Sequence, residues 1–98
     1  MSVEVIKIDG FQINSKADFH RILGEKLDFG PYYGHNADAL WDMLSTGMAC
    51  GIVIIWENSE RSKKGMGDDF QLIISIFDRT KQRYLGKGDD LAFDYVLN

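Results

Sequence analysis

A single cysteine, Cys50, serves a chain of 98 residues, so no disulfide can close within it and the fold must rest on its core, as suits a reducing compartment. Long apolar runs are missing as well. The most hydrophobic stretch, Ile52-Val53-Ile54-Ile55-Trp56, is far too short to span a bilayer. Basic residues are scarce relative to acids: 11 Lys and Arg stand against 15 Asp and Glu, for a formal charge of -4 and a pI near 5.0. Neutralising phosphates takes clustered Lys and Arg, so this balance argues against direct nucleic-acid binding and suits a basic partner. No basic and apolar signal pattern opens the sequence, and a cytoplasmic protein without membrane contact is expected. What is present, 45% hydrophobic residues, suffices for one domain over residues 1–98 that buries roughly 60–70% of the surface of its unfolded chain.

Val3 to Ile8 is rich in β-branched residues and bounded by Asp9-Gly10, which predicts a strand closed by a turn. Ser15 with Asp18 three residues on is a variant capping box, and Phe19, Ile22, Leu23 and Leu27 follow it at helical spacing. Gly30-Pro31-Tyr32-Tyr33-Gly34 breaks that pattern. Asn36 then offers a cap oxygen to a second helix running to about Thr46, with Ala37, Leu40, Met43 and Leu44 as its buried stripe. After a short connection over Gly47 to Gly51, the run Ile52 to Trp56 predicts a central strand covered on both faces of a parallel sheet. Glu57 to Asp69 lacks apolar periodicity; one short helix near Ser59 to Lys64 is expected in what reads as the most mobile part. Leu72 to Phe77 would pass locally for a strand. Phe70, Ile73, Ile74, Phe77 and Tyr84 nevertheless keep a helical period across Asp69 to Leu85, with Gly86-Lys87-Gly88 as the stop. Leu91 to Leu97 reads as the last strand. This order predicts an α/β fold of parallel strands joined by right-handed crossovers.

Asp38 and Asp42 are one helical turn apart, and like charges at that spacing cost a helix roughly 0.2–0.5 kcal/mol. The helix dipole favours Asp38 in the first turn but fades before Asp42, which therefore carries the stronger functional signal. Tyr32, Tyr33 and Trp41 stand beside the pair, rings of the kind enriched at the centres of protein interfaces. The segment reads as a docking surface for an electropositive partner. The plain alternatives are a solvated helix face for the aspartates, a tyrosine packing the loop over the core, and a partly buried anchor in Trp41.

The run Tyr32-Tyr33-Gly34-His35-Asn36-Ala37-Asp38-Ala39-Leu40-Trp41-Asp42 resembles the barstar family of ribonuclease inhibitors, as do Ile8-Asp9-Gly10 and Ser15 to His20 before it. Val53 to Trp56 and Ser62-Lys63 add weaker matches in the same order. The resemblance implies a three-stranded parallel sheet packed by three to four helices. It also implies an immunity protein that plugs the active site of a toxic ribonuclease in a one-to-one complex, is monomeric when free, and needs no cofactor or metal. Matching the motif puts the central inhibitory carboxylate on Asp42, its acidic neighbour on Asp38, and partner contacts on Tyr32, Tyr33, Gly34, His35, Asn36, Trp41 and Ser45. A carboxylate placed where a ribonuclease holds the scissile phosphate would form charge-assisted, bidentate bonds with its cations. The chain also departs from the family pattern. Arg79, Lys81 and Arg83 occupy the last helix where acids are expected, Gly47 and Met48 replace an aromatic, and His35 stands in for an acid. These departures imply a target other than the archetypal ribonuclease, such as a toxin delivered in contact-dependent competition. Arg79 and Arg83, on one helix face, are either solvated or a second contact patch.

Other chemistry reads more weakly. His20, between Phe19 and Ile22, is a packed helix histidine by its setting, and Cys50 a small filler before a strand. His35, Asp38 and Asp42 are spaced for a metal but lack a second histidine or a cysteine pair. Gly65-x-Gly67 and Gly86-x-Gly88 are turns and not phosphate loops. An aspartate acid and base pair would need a concave pocket, so an enzyme is not expected. The alternative kept open is a regulatory or structural subunit that binds another cytoplasmic protein through the same acidic and aromatic surface.

Overall fold

A computed structural model describes residues 3–46, 50–86 and 92–98. Its elements are β1 (Val3–Asp9), a short 3-10 turn (Gly10–Gln12), α1 (Lys16–Lys26), α2 (Ala37–Thr46), β2 (Gly51–Glu57), α3 (Ser59–Met66), α4 (Asp68–Tyr84) and β3 (Phe93–Leu97). The strands form one parallel sheet in the order β1-β2-β3. The fold is thus the α/β architecture expected, with β2 central. Gly47, Met48, Lys87, Gly88 and Leu91, to which the expected connections and strand start were assigned, lie outside the described residues.

One expectation is corrected. β2 is covered on a single face, because the strand order advances across the sheet in one direction and right-handed crossovers then stack every helix on the same side. The alternation of burial follows that geometry. Ile6 pairs with Ile54 and Ile8 with Trp56, while Ile52 pairs with Phe93, and all six are buried under the helices. On the opposite face Val3, Val5 and Val96 are 51%, 55% and 43% exposed. Val53 and Ile55, between them, are half-buried.

The core lies between that inner face and the helices. Phe19 stacks on Trp56 at 5.2 Å, Phe77 lies 6.0 Å from Phe19, and Phe70, Ile73, Ile74 and Tyr84 add the predicted stripe of α4. The ambiguous run Leu72 to Phe77 is helical, as its longer period requires. Gly86, with φ of 80°, takes the left-handed conformation just past that helix. α3 docks without an apolar stripe, by burying Ser59, Ser62 and Met66. The Ser62 hydroxyl accepts from the Trp56 indole N–H at 3.1 Å and donates to the Gly10 carbonyl at 3.2 Å. Gly10 has to be glycine: a Cβ there would stand 2.0 Å from the Asn58 carbonyl oxygen.

Candidate functional site

The site begins where α1 ends. Ser15 caps the start of α1 through the Asp18 N–H at 3.2 Å, and the Asp18 carboxylate reaches back to the Asn14 N–H at 3.0 Å, one residue earlier than an ideal capping box. That bond holds the Asp18 carboxyl below its usual range. At the other end Asp28 takes φ of 55°, the Phe29 N–H donates to the Gly24 carbonyl at 2.9 Å, and the Asp28 N–H to that of Glu25 at 3.3 Å. These are the two bonds of a Schellman ending, with aspartate in the position glycine usually takes.

The loop between α1 and α2 is held by Tyr33. Its hydroxyl lies 2.6 Å from His20 Nδ1, its ring packs 4.9 Å from Phe29 and 5.0 Å from His35, and a Cβ at Gly24 would come within 3.1 Å of it. His20 and Tyr33 are buried, and burial pushes the imidazole down to about 4 and the phenol up. Tyr32, next in sequence, is 96% exposed. Of the two tyrosines, then, one fastens the loop from inside and the other stands free in solvent. A cleft of about 280 Å³ beside the loop is lined by Arg21, Gly24, Glu25, Asp28, Gly30, Tyr33 and His35, and neither Asp38 nor Asp42 reaches it.

The chain then enters α2. His35, exposed, takes φ of 52° and turns it toward Asn36, whose side chain accepts from the Ala39 N–H at 2.8 Å and donates to the Gly34 carbonyl at 3.1 Å. The predicted cap is in place. Leu40 and Leu44 are fully buried, with Ala37 and Met43 half-buried, so Asp38 and Asp42 fall on the exposed side. Among the described residues the ion pairs are Arg21 with Asp18 at 3.5 Å and Lys81 with Asp94 at 3.1 Å. Neither involves Asp38 or Asp42, both of which are exposed.

Trp41 is half-buried, and the Arg79 guanidinium lies 4.2 Å from the centre of its ring. Ser45 is buried; its carbonyl accepts from Arg83 Nε at 2.7 Å, and the neighbouring Leu44 carbonyl from the Tyr84 hydroxyl at 2.6 Å. The last carbonyls of a helix lack intrahelical partners, and here side chains of α4 supply them. Arg83 also brings positive charge to the negative end of the dipole. Of the residues singled out from sequence, Tyr32, His35, Asn36, Asp38, Asp42 and Trp41 open onto one surface with Gly34, while Tyr33 and Ser45 are its buried supports. Sequence reasoning missed the His20 to Tyr33 bond and the α4 caps, because partners 13 and 38 or more residues apart leave no local signal.

Chemically the surface offers two exposed carboxylates on a helix face. Among the described residues no group of three or more His, Cys, Asp or Glu is placed to hold a metal ion, and no helix is long and apolar enough to cross a membrane.

Comparison with known proteins supplies the family. A Bacillus subtilis (strain 168) protein named "Putative ribonuclease inhibitor YrdF" is 31% identical over 77 residues, which cover 79% of this chain and 85% of that one. The family model described as barstar, barnase inhibitor, matches residues 3–96. A family so described is one of inhibitors and not of enzymes. With nearly its whole length matched and the parallel three-stranded sheet in place, the chain belongs to the barstar family.

Proposed function

We propose that this chain is an intracellular immunity protein that binds a basic ribonuclease toxin one-to-one and blocks its active site, with Asp42 and Asp38 taking the place of RNA phosphate. The observation that carries this reading is the state of the two carboxylates: one turn apart on an exposed helix face, with no ion pair among the described residues. A positive charge brought up from outside would relieve their mutual repulsion. A ribonuclease cleft supplies one, since it must grip a phosphate with Arg, Lys or His, and a carboxylate can accept the same forked bonds. The α4 caps and the Tyr33 anchor hold the surface before the partner arrives, which lowers the ordering cost of association. Family membership and the relative's name support the same role.

The test is co-expression with the ribonuclease toxin encoded beside this chain. The wild type should restore growth of cells making the toxin, and Asp42→Ala should abolish rescue while its thermal melting stays at the wild-type value. Undiminished rescue by Asp42→Ala would defeat the mimicry.

A further inference from the structure

The cationic residues of α4 fall into two groups. Lys81 is spent on Asp94 at 3.1 Å, a contact with β3. Arg79 and Arg83 have no carboxylate partner among the described residues, yet both are immobilised through neutral contacts: the Trp41 indole face at 4.2 Å and the Ser45 carbonyl at 2.7 Å. A guanidinium lying on an aromatic face keeps its N–H edges free, and one bonded through Nε keeps its two terminal NH2 groups. Both side chains are thus pre-set to receive anions, with part of the entropy of fixing a long side chain already spent.

Helical spacing places them relative to the acids. Asp38 and Asp42 form one column along α2, and Trp41 and Ser45, three residues further on from each, form the adjacent column on the same helix surface. Arg79 and Arg83, four apart on α4, seat on Trp41 and Ser45 in the same order. A column of negative charge therefore runs beside a column of positive charge, one helical turn per step in each. A uniformly basic cleft would meet repulsion along the second column.

Building on the immunity reading, we infer that the partner's cleft is bipolar: beside the cations that hold phosphate it carries carboxylate side chains, which dock on the guanidiniums of Arg79 and Arg83. Arg79 and Arg83 then determine which ribonuclease is recognised, by rejecting clefts that are basic throughout.

The experiment uses the full chain and the ribonuclease it protects against in the co-expression assay, with association followed by stopped-flow at low and high salt. Arg79→Gln and Arg79→Glu both take the cation off the Trp41 face, so the difference between them reports charge, while Arg79→Lys keeps a cation there without the planar guanidinium. Expected is the order Lys fastest, Gln intermediate and Glu slowest, with Glu about tenfold slower than Gln at low salt and the gap closing at high salt. Equal rates, or the reverse order, would overturn the proposal. Should Arg79→Glu melt early, Arg83→Lys against Arg83→Gln gives the same reading, with Gln expected to associate more slowly. Asp42→Ala in the same assay separates the two ideas. Its failure to weaken binding removes the immunity reading itself, whereas a loss at Asp42 with no charge order at Arg79 removes only the bipolar cleft.

Discussion

On the proposed immunity reading, Asp42 and Asp38 set function against stability within one helical turn. Because they repel each other across exposed α2, and Asp42 lies beyond the reach of the helix dipole that favours Asp38, Asp42→Ala should leave the free protein as stable as the wild type or more so, by roughly 0.2–0.5 kcal/mol in urea unfolding. Binding should move the other way. Removing one member of a desolvated charge pair typically costs about 2–5 kcal/mol, which at Asp42 should weaken inhibition by roughly thirtyfold to several thousandfold in a titration against the ribonuclease. A residue that improves the monomer when deleted and ruins the complex is one whose partner lies outside the chain. Gly34 works in the opposite sense. A Cβ there would stand 3.2 Å from both the Ala39 Cβ and the Asn36 side-chain nitrogen, so its space belongs to the α2 cap.

At the scale of elements, α2 is capped locally by Asn36 at its start and fastened by a neighbour at its end. Its C-terminal carbonyls take Arg83 and the buried Tyr84 hydroxyl from α4. Tyr84→Phe removes one hydroxyl and leaves the Leu44 carbonyl unpaired in the interior, which should cost about 1–3 kcal/mol in a denaturant melt while far-UV circular dichroism stays native. Most elements were legible in the sequence because each carries its own period or cap: Ser15 and Asn36 cap as their positions predict, and the stripe of α4 outruns the strand-like stretch inside it. α3 runs two residues past the Ser59 to Lys64 expected, since it buries serines and has no apolar stripe to mark its end. The acidic and aromatic face was legible for the same local reason, as residues three and four apart. Its supports were not. The Tyr33 to His20 bond and the α4 caps join residues remote in sequence, and only the packed helices bring them together. The two-sided cover expected for β2 failed because an apolar run reveals that a strand is central without revealing which way the chain crosses next.

For the whole molecule, the one-sided sheet divides the consequences of substitution. Ile54→Ala, facing the helices, should cost about 2–5 kcal/mol, and Val5→Thr, on the bare face one strand away, should stay within about 0.5 kcal/mol in the same melt. Acid should act through His20. Its folded pKa, near 4, lies below the ordinary 6.5, so the unfolded chain binds the proton that the folded chain refuses, and stability should fall as the pH drops from about 6.5 toward 4. At roughly 1.4 kcal/mol per unit this amounts to a few kcal/mol at most. His20→Asn, which can still meet the Tyr33 hydroxyl, should flatten the slope of urea midpoint against pH over that window.

With every helix stacked on one side of the sheet, the proposed function gives the molecule a grasping side and a back that takes no part in it. A fluorescent label, a carrier fusion or a sensor chip attached through the strand face at Val5 would leave the acidic ladder pointing into solution, so the protein should work as an immobilised trap for nucleases without redesign of its working surface.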